Sequence, residues 1–64
     1  MLKTFKVDED YQKSRFDKWF KNKVIDIPHS LIEKIIRLNK VKVNNKKTKS
    51  SYRLQIGDMV DVYD

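Results

Sequence analysis

Phe16, Trp19, Phe20 and Val24 recur at the spacing of one helical face, and this is the densest aromatic cluster in the chain. In 64 residues without a cysteine, that face has to anchor the core, because neither a disulfide nor a thiolate metal site can help. A domain this short buries only about 60% of its unfolded surface, which argues against a deep, protected catalytic cleft. The spacing predicts a short helix from Arg15 to about Lys23, with Trp19 as its anchor. Ser14 is the expected N-cap, and Asp17, three residues on, approximates a capping box.

The flanks of this helix are legible too. Lys3, Phe5 and Val7 alternate with Thr4 and Lys6, the pattern of a half-buried strand. Pro28 ends the connector Ile25-Asp26-Ile27 and blocks continuation of the first helix. Ser30 and Glu33 form an S-x-x-E capping box for a second helix, whose apolar face is Leu31, Ile32, Ile35, Ile36 and Leu38. Asn39 is its stop, since asparagine tolerates the left-handed conformation past a helix end. Val41-Lys42-Val43 reads as a strand, and Asn44-Asn45 as a tight turn needing positive φ. Lys46 to Lys49 form a return strand or loop. Gly57-Asp58 marks a turn before a last strand at Met59, Val60, Val62 and Tyr63, with Asp58 and Asp61 facing out. The two terminal strands are candidates to pair. The expected fold class is α+β: two short helices packed on a small, mostly antiparallel sheet, in one domain over residues 1–64.

The formal charge is +6, and its distribution says more than its total. None of the nine acids lies between Lys34 and Gly57, while Lys34, Arg37, Lys40, Lys42, Lys46, Lys47, Lys49 and Arg53 all do. A one-sign block of this kind suits a polyanion, or else is a solvated lysine-rich surface. No apolar run reaches the roughly 20 residues that span a bilayer, and the N-terminus lacks a secretory h-region, so no membrane is expected as partner. His29 has no second ligand at useful spacing, and Asp17 has no carboxylate partner, so neither a metal, a cofactor nor catalysis is expected of this chain.

Several of these segments fall in one order. Arg15-Phe16-Asp17-Lys18-Trp19-Phe20 resembles the R-L-D-K-F-L opening of the S-four RNA-binding domain, also called the alpha-L motif. The resemblance runs on through Pro28, Ser30, Ile32, Lys34, Ile36 and Arg37. Val41, Val43 and Asn44 then match V-x-V-N-G, and Leu54, Gly57, Asp58 and Val60 match L-x-x-G-D-x-V. Asn39 and Asn45 stand where the family has glycine, and Phe16 where leucine is usual. The stretch covered is about Lys3 to Tyr63, and the strand before Arg15 looks most like ribosomal large-subunit pseudouridine synthases. The resemblance implies a cytoplasmic, RNA-binding accessory domain, the N-terminal fragment of a larger isomerase whose catalytic domain follows and holds the essential aspartate.

On this reading structured RNA, ribosomal RNA above all, is the partner. The expected contacts are Arg15, Lys18, Lys34, Arg37, Lys40, Lys42, Lys46 and Lys47 to phosphates, with Lys49 extending the set. Asn44 suits a ribose 2′-OH or a base edge. The Ser30 end of the second helix offers backbone N–H groups to a phosphate, although Ser30 reads first as a cap. Arg15 has a plainer role available, as an ion-pair partner of Asp17 or Glu33. Tyr52 is the one aromatic outside the core pattern that suits base stacking. Three alternatives stay open: a free-standing ribosome-associated protein, a helix-turn-helix DNA-binding module, and, weakest, a protein-interaction module.

Overall fold

The computed structural model describes residues 2–63, in which the strands β1 (Leu2–Lys6), β2 (Val41–Val43) and β3 (Met59–Tyr63) form one antiparallel sheet in the order β1-β3-β2. The terminal strands pair as expected, with Phe5 opposite Val60 and Thr4 opposite Asp61. Val43 also lies opposite Val60, from the other side, and Lys42 opposite Asp61. Side chains alternate across a strand, so Phe5, Val41, Val43, Val60 and Val62 face the helices while Thr4, Lys42 and Asp61 share the outer face.

Helices α1 (Phe16–Lys23) and α2 (His29–Arg37) cover the inner face. Phe16, Trp19 and Phe20 are buried, with Trp19 edge-on to Phe5 at 5.7 Å between ring centroids. Ile32, Ile36, Val7 and Leu54 complete the core. The wide apolar face expected on α2 is narrower in fact: Ile32 and Ile36 are buried, whereas Leu31 and Leu38 are exposed.

Neither expected cap forms. Arg15, in extended conformation, is the N-cap of α1 and makes no side-chain capping bond. Ser14 is occupied elsewhere: its carbonyl accepts from Leu54 N–H at 2.9 Å, and Arg15 bridges Arg53. The N–H groups opening α1 are satisfied by backbone instead, Phe16 by the Tyr52 carbonyl and Asp17 by the Ser50 carbonyl, which makes a side-chain cap redundant. In α2 the N-cap is Pro28, earlier in the chain than expected, so Ser30 lies within the first turn and the Ser30–Glu33 capping box is absent. The Pro28 carbonyl accepts from Leu31 and Ile32.

The turns hold as expected. Asn39 has φ 60° and closes α2 with bonds from its own N–H to the Ile36 carbonyl and from Lys40 N–H to the Ile35 carbonyl, a Schellman ending. Asn44 and Asn45 have φ of 52° and 66°, and Val43 and Lys46 exchange both backbone bonds across them, a type I′ hairpin turn. Beyond Lys46 the return is loop. Lys13 also takes a positive φ, 67°, which places its N–H 2.7 Å from the Leu54 carbonyl. Asp58 does not face out: it is 9% exposed, and its carboxylate is buried in a hydrogen-bond network with Asn44, Tyr52 and Gln55.

Candidate nucleic-acid interface

The return loop folds back against α2. Glu33, Ile36 and Arg37 form one wall of a surface groove, and Lys47, Thr48, Lys49, Ser50 and Ser51 form the other. Thr48 is buried and anchors this loop. Lys47 and Lys49 also border a second hollow on the loop's far side, with Lys46, Asn44 and Tyr52. A third hollow lies where α1 meets α2, lined by Asp17, Lys18, Lys21, His29 and Ile32. His29 joins the α1–α2 hollow to the groove, because it lies 3.3 Å from Asp17 and 3.8 Å from Glu33. The result is one face on which Arg15, Lys18 and Lys21 lead across His29 to Arg37, Lys47 and Lys49. Lys34 lies one turn before Arg37 on the exposed side of α2.

The expected contacts therefore divide. Lys18 lines the α1–α2 hollow beside Asp17, which holds Arg15; Arg37 and Lys47 line the groove, and Lys46 borders the same loop, while Lys34 lies on the exposed side of α2. Lys42 points to the outer face of the sheet, its Nζ 5.9 Å from the centre of the Tyr63 ring. Lys40 lines an apolar groove at the sheet's end with Lys3, Val24 and Tyr63. Ser30 is exposed in the first turn of α2. The Asn44 amide is engaged internally, its Oδ1 accepting from Met59 N–H at 2.9 Å and its Nδ2 donating to Asp58 at 3.0 Å. Tyr52 is not a free stacking platform, since its ring packs on the core and its hydroxyl donates to Asp58.

A carboxylate sits within this basic face. Burial pushes the Asp17 carboxyl up, but bonds from Arg15 and Lys18 N–H, with the charges of Arg15 and His29, outweigh it and hold the group below its ordinary value. The same hydrogen bond and charge raise the Arg15 guanidinium above its own ordinary value. Ser50 and His29 are the less legible members of the site. The His29–Glu33 spacing of four is readable as a helical pair, whereas the approach of Asp17 and of the loop is tertiary. Among the described residues, no cluster of histidine, aspartate or glutamate is placed to hold a metal ion, and no helix is long and apolar enough to cross a membrane.

Comparison with known proteins gives the same direction. The family model of the S4 domain, the family that the motifs resemble, matches residues 14–60. The ribosomal large subunit pseudouridine synthase C of Vibrio parahaemolyticus is 41% identical over 56 residues, covering 88% of this chain and 18% of that protein. The enzyme of the same name from Haemophilus influenzae is 36% identical over 61 residues, 95% of this chain and 19% of the relative. The chain thus spans about a fifth of the length of the curated relatives it matches. No solved structure gives a match.

Proposed function

Since the chain belongs to the S4 domain family, we propose that it docks structured ribosomal RNA as the accessory domain of a large-subunit pseudouridine synthase. The isomerisation itself belongs to a catalytic domain elsewhere in the same protein, working in the cytoplasm where ribosomes are built. The observation that carries this reading is the groove in which Arg37 on α2 faces Lys47 and Lys49 on the loop. A shallow groove with two lysines on its loop wall and Arg37 across from them, beside Glu33, suits the phosphate line of a folded RNA, and flexible lysines with a planar arginine supply the contacts. The groove is lined by Arg37, two lysines and the hydroxyls of Thr48, Ser50 and Ser51, with Glu33 and Ile36, and by no aromatic ring, which favours recognition of shape and backbone over the stacking of single strands. The names of the curated relatives supply the ribosomal substrate and the reaction.

The test is competition binding of the 64-residue chain to stem–loop transcripts tiling large-subunit ribosomal RNA. Unlabelled structured RNA should displace the probe, and equal masses of single-stranded RNA and duplex DNA should displace it poorly. Equal displacement by all three would leave only a general polyanion binder, and preference for duplex DNA would contradict the reading.

A further inference from the structure

A carboxylate in the middle of a phosphate-binding face should, on charge alone, weaken binding. We infer that Asp17 does the reverse: it is a positioning residue that holds the Arg15 guanidinium ready for an RNA phosphate. The inference rests on the RNA-docking reading above.

The pair is a fork. Arg15 Nε donates to Asp17 Oδ1 at 3.2 Å and Nη2 donates to Oδ2 at 3.1 Å. Arginine has five N–H donors, so the two Nη1 protons and one on Nη2 remain for another acceptor. The two partners are unequally exposed: the Arg15 side chain is 45% accessible and that of Asp17 only 14%. The carboxylate is recessed at the edge of the α1–α2 hollow, and the guanidinium bonded to it is the more exposed partner.

Asp17 is itself fixed. Its Oδ1 accepts from Lys18 N–H at 2.8 Å, its Oδ2 lies 3.3 Å from His29 Nδ1, and its own N–H is bonded to the Ser50 carbonyl. Both oxygens are thus occupied, and the Arg15 fork is built on a rigid base joining α1, α2 and the basic loop. Two effects of Asp17 on RNA oppose each other. Across the guanidinium, about 7 Å in the water-like dielectric of an exposed site and with screening over a Debye length of about 8 Å, repulsion of a phosphate costs less than about twofold in affinity. Freezing a mobile arginine on binding costs about two- to tenfold, and Asp17 has already met that cost in the free protein. Preorganisation wins.

The experiment is a double-mutant cycle in the 64-residue chain, read by fluorescence anisotropy with a stem–loop fragment of large-subunit ribosomal RNA across a salt series. R15A should weaken binding about fivefold and lower the log–log salt slope by about 0.7–0.9, the value for one phosphate that no longer has its cation. D17N should weaken binding about threefold in the wild-type background, because the arginine fork loses its base. In the R15A background the same D17N change should leave affinity unchanged or tighten it by up to about twofold, since only repulsion then remains. R15K, which keeps the charge and loses the fork, should bind about threefold more weakly and be indifferent to D17N. It carries the test alone if D17N lowers the melting temperature into the working range. Tighter binding by D17N in the wild-type background overturns the inference, as do equal weakening with and without Arg15 and wild-type binding by R15K. In each case RNA docking through Arg37 and the loop lysines would stand. That reading fails separately, if removing those cations has no effect.

Discussion

The Tyr52 hydroxyl donates to Asp58 Oδ2 at 2.9 Å, and through this carboxylate three separate pieces of chain are joined. Asn44 Nδ2 reaches Oδ1 at 3.0 Å and Gln55 N–H reaches Oδ2 at 3.0 Å. The loop bearing Lys46, Lys47 and Lys49 runs between Asn44 and Tyr52, so Asp58 clamps it at both ends. D58A leaves three donors without their acceptor and should cost about 3–5 kcal/mol, while Y52F removes one bond to a charged group and should cost about 1.5–3 kcal/mol. Urea denaturation of the wild type and the two variants measures both.

The same network sets an acid limb. Burial pushes the Asp58 carboxyl up, but the bonds from Gln55, Asn44 and Tyr52 together prevail and hold it below its ordinary value. A carboxyl depressed in the folded state adds stability above its unfolded value of about 3.9, and that increment is lost as pH falls through the folded value. The melting temperature should therefore hold down to about pH 5 and fall below about pH 4. In D58N the fall should be shallower, and the gap between the two proteins should narrow as pH drops. Tyr52 gives the alkaline counterpart: its bond to Asp58, its burial and the negative charge of Asp58 all raise its phenol above the ordinary value. Ultraviolet titration should find one tyrosine ionising above the ordinary phenol value, and that step should be missing in Y52F.

The hairpin turn depends on φ near 66° at Asn45. Asn45→Gly removes the residual strain and should leave stability unchanged or raise it by less than about 1 kcal/mol. Asn45→Val puts a β-branched residue in the left-handed region and should cost about 1–2 kcal/mol. Thermal melts of the two variants check the order.

How much of this is readable in the sequence depends on whether the cause is local. The strand pattern, the aromatic face of α1 and the left-handed turns at Asn39, Asn44 and Asn45 follow from side-chain periodicity and backbone preference, and all are found. The capping boxes at Ser14 and Ser30 are equally local, but tertiary carbonyls from Ser50 and Tyr52 and the position of Pro28 displace them. Asp58 reads as an exposed turn residue because its three donors lie outside its own turn or take shape only on folding. The basic block is plain in the sequence, and its partition is not. Whether a lysine in this window joins the groove or the far face depends on strand parity and on a loop folding back over α2. Lys42 falls on the outer face for the first reason, and Lys47 enters the groove for the second.

That partition gives the most direct measurement of the central claim. The quadruple change K34A/R37A/K47A/K49A removes four cations from the groove and its rim, while K6A/K42A removes two from other surfaces. RNA affinity of each is measured against salt with a stem–loop fragment of large-subunit ribosomal RNA. The groove variant should bind far more weakly, its log–log slope reduced by about 0.7–0.9 for each phosphate left without its cation, and K6A/K42A should keep nearly the wild-type slope. Equal weakening per charge removed from the two sets, or a groove variant with unchanged affinity and slope, would contradict the account.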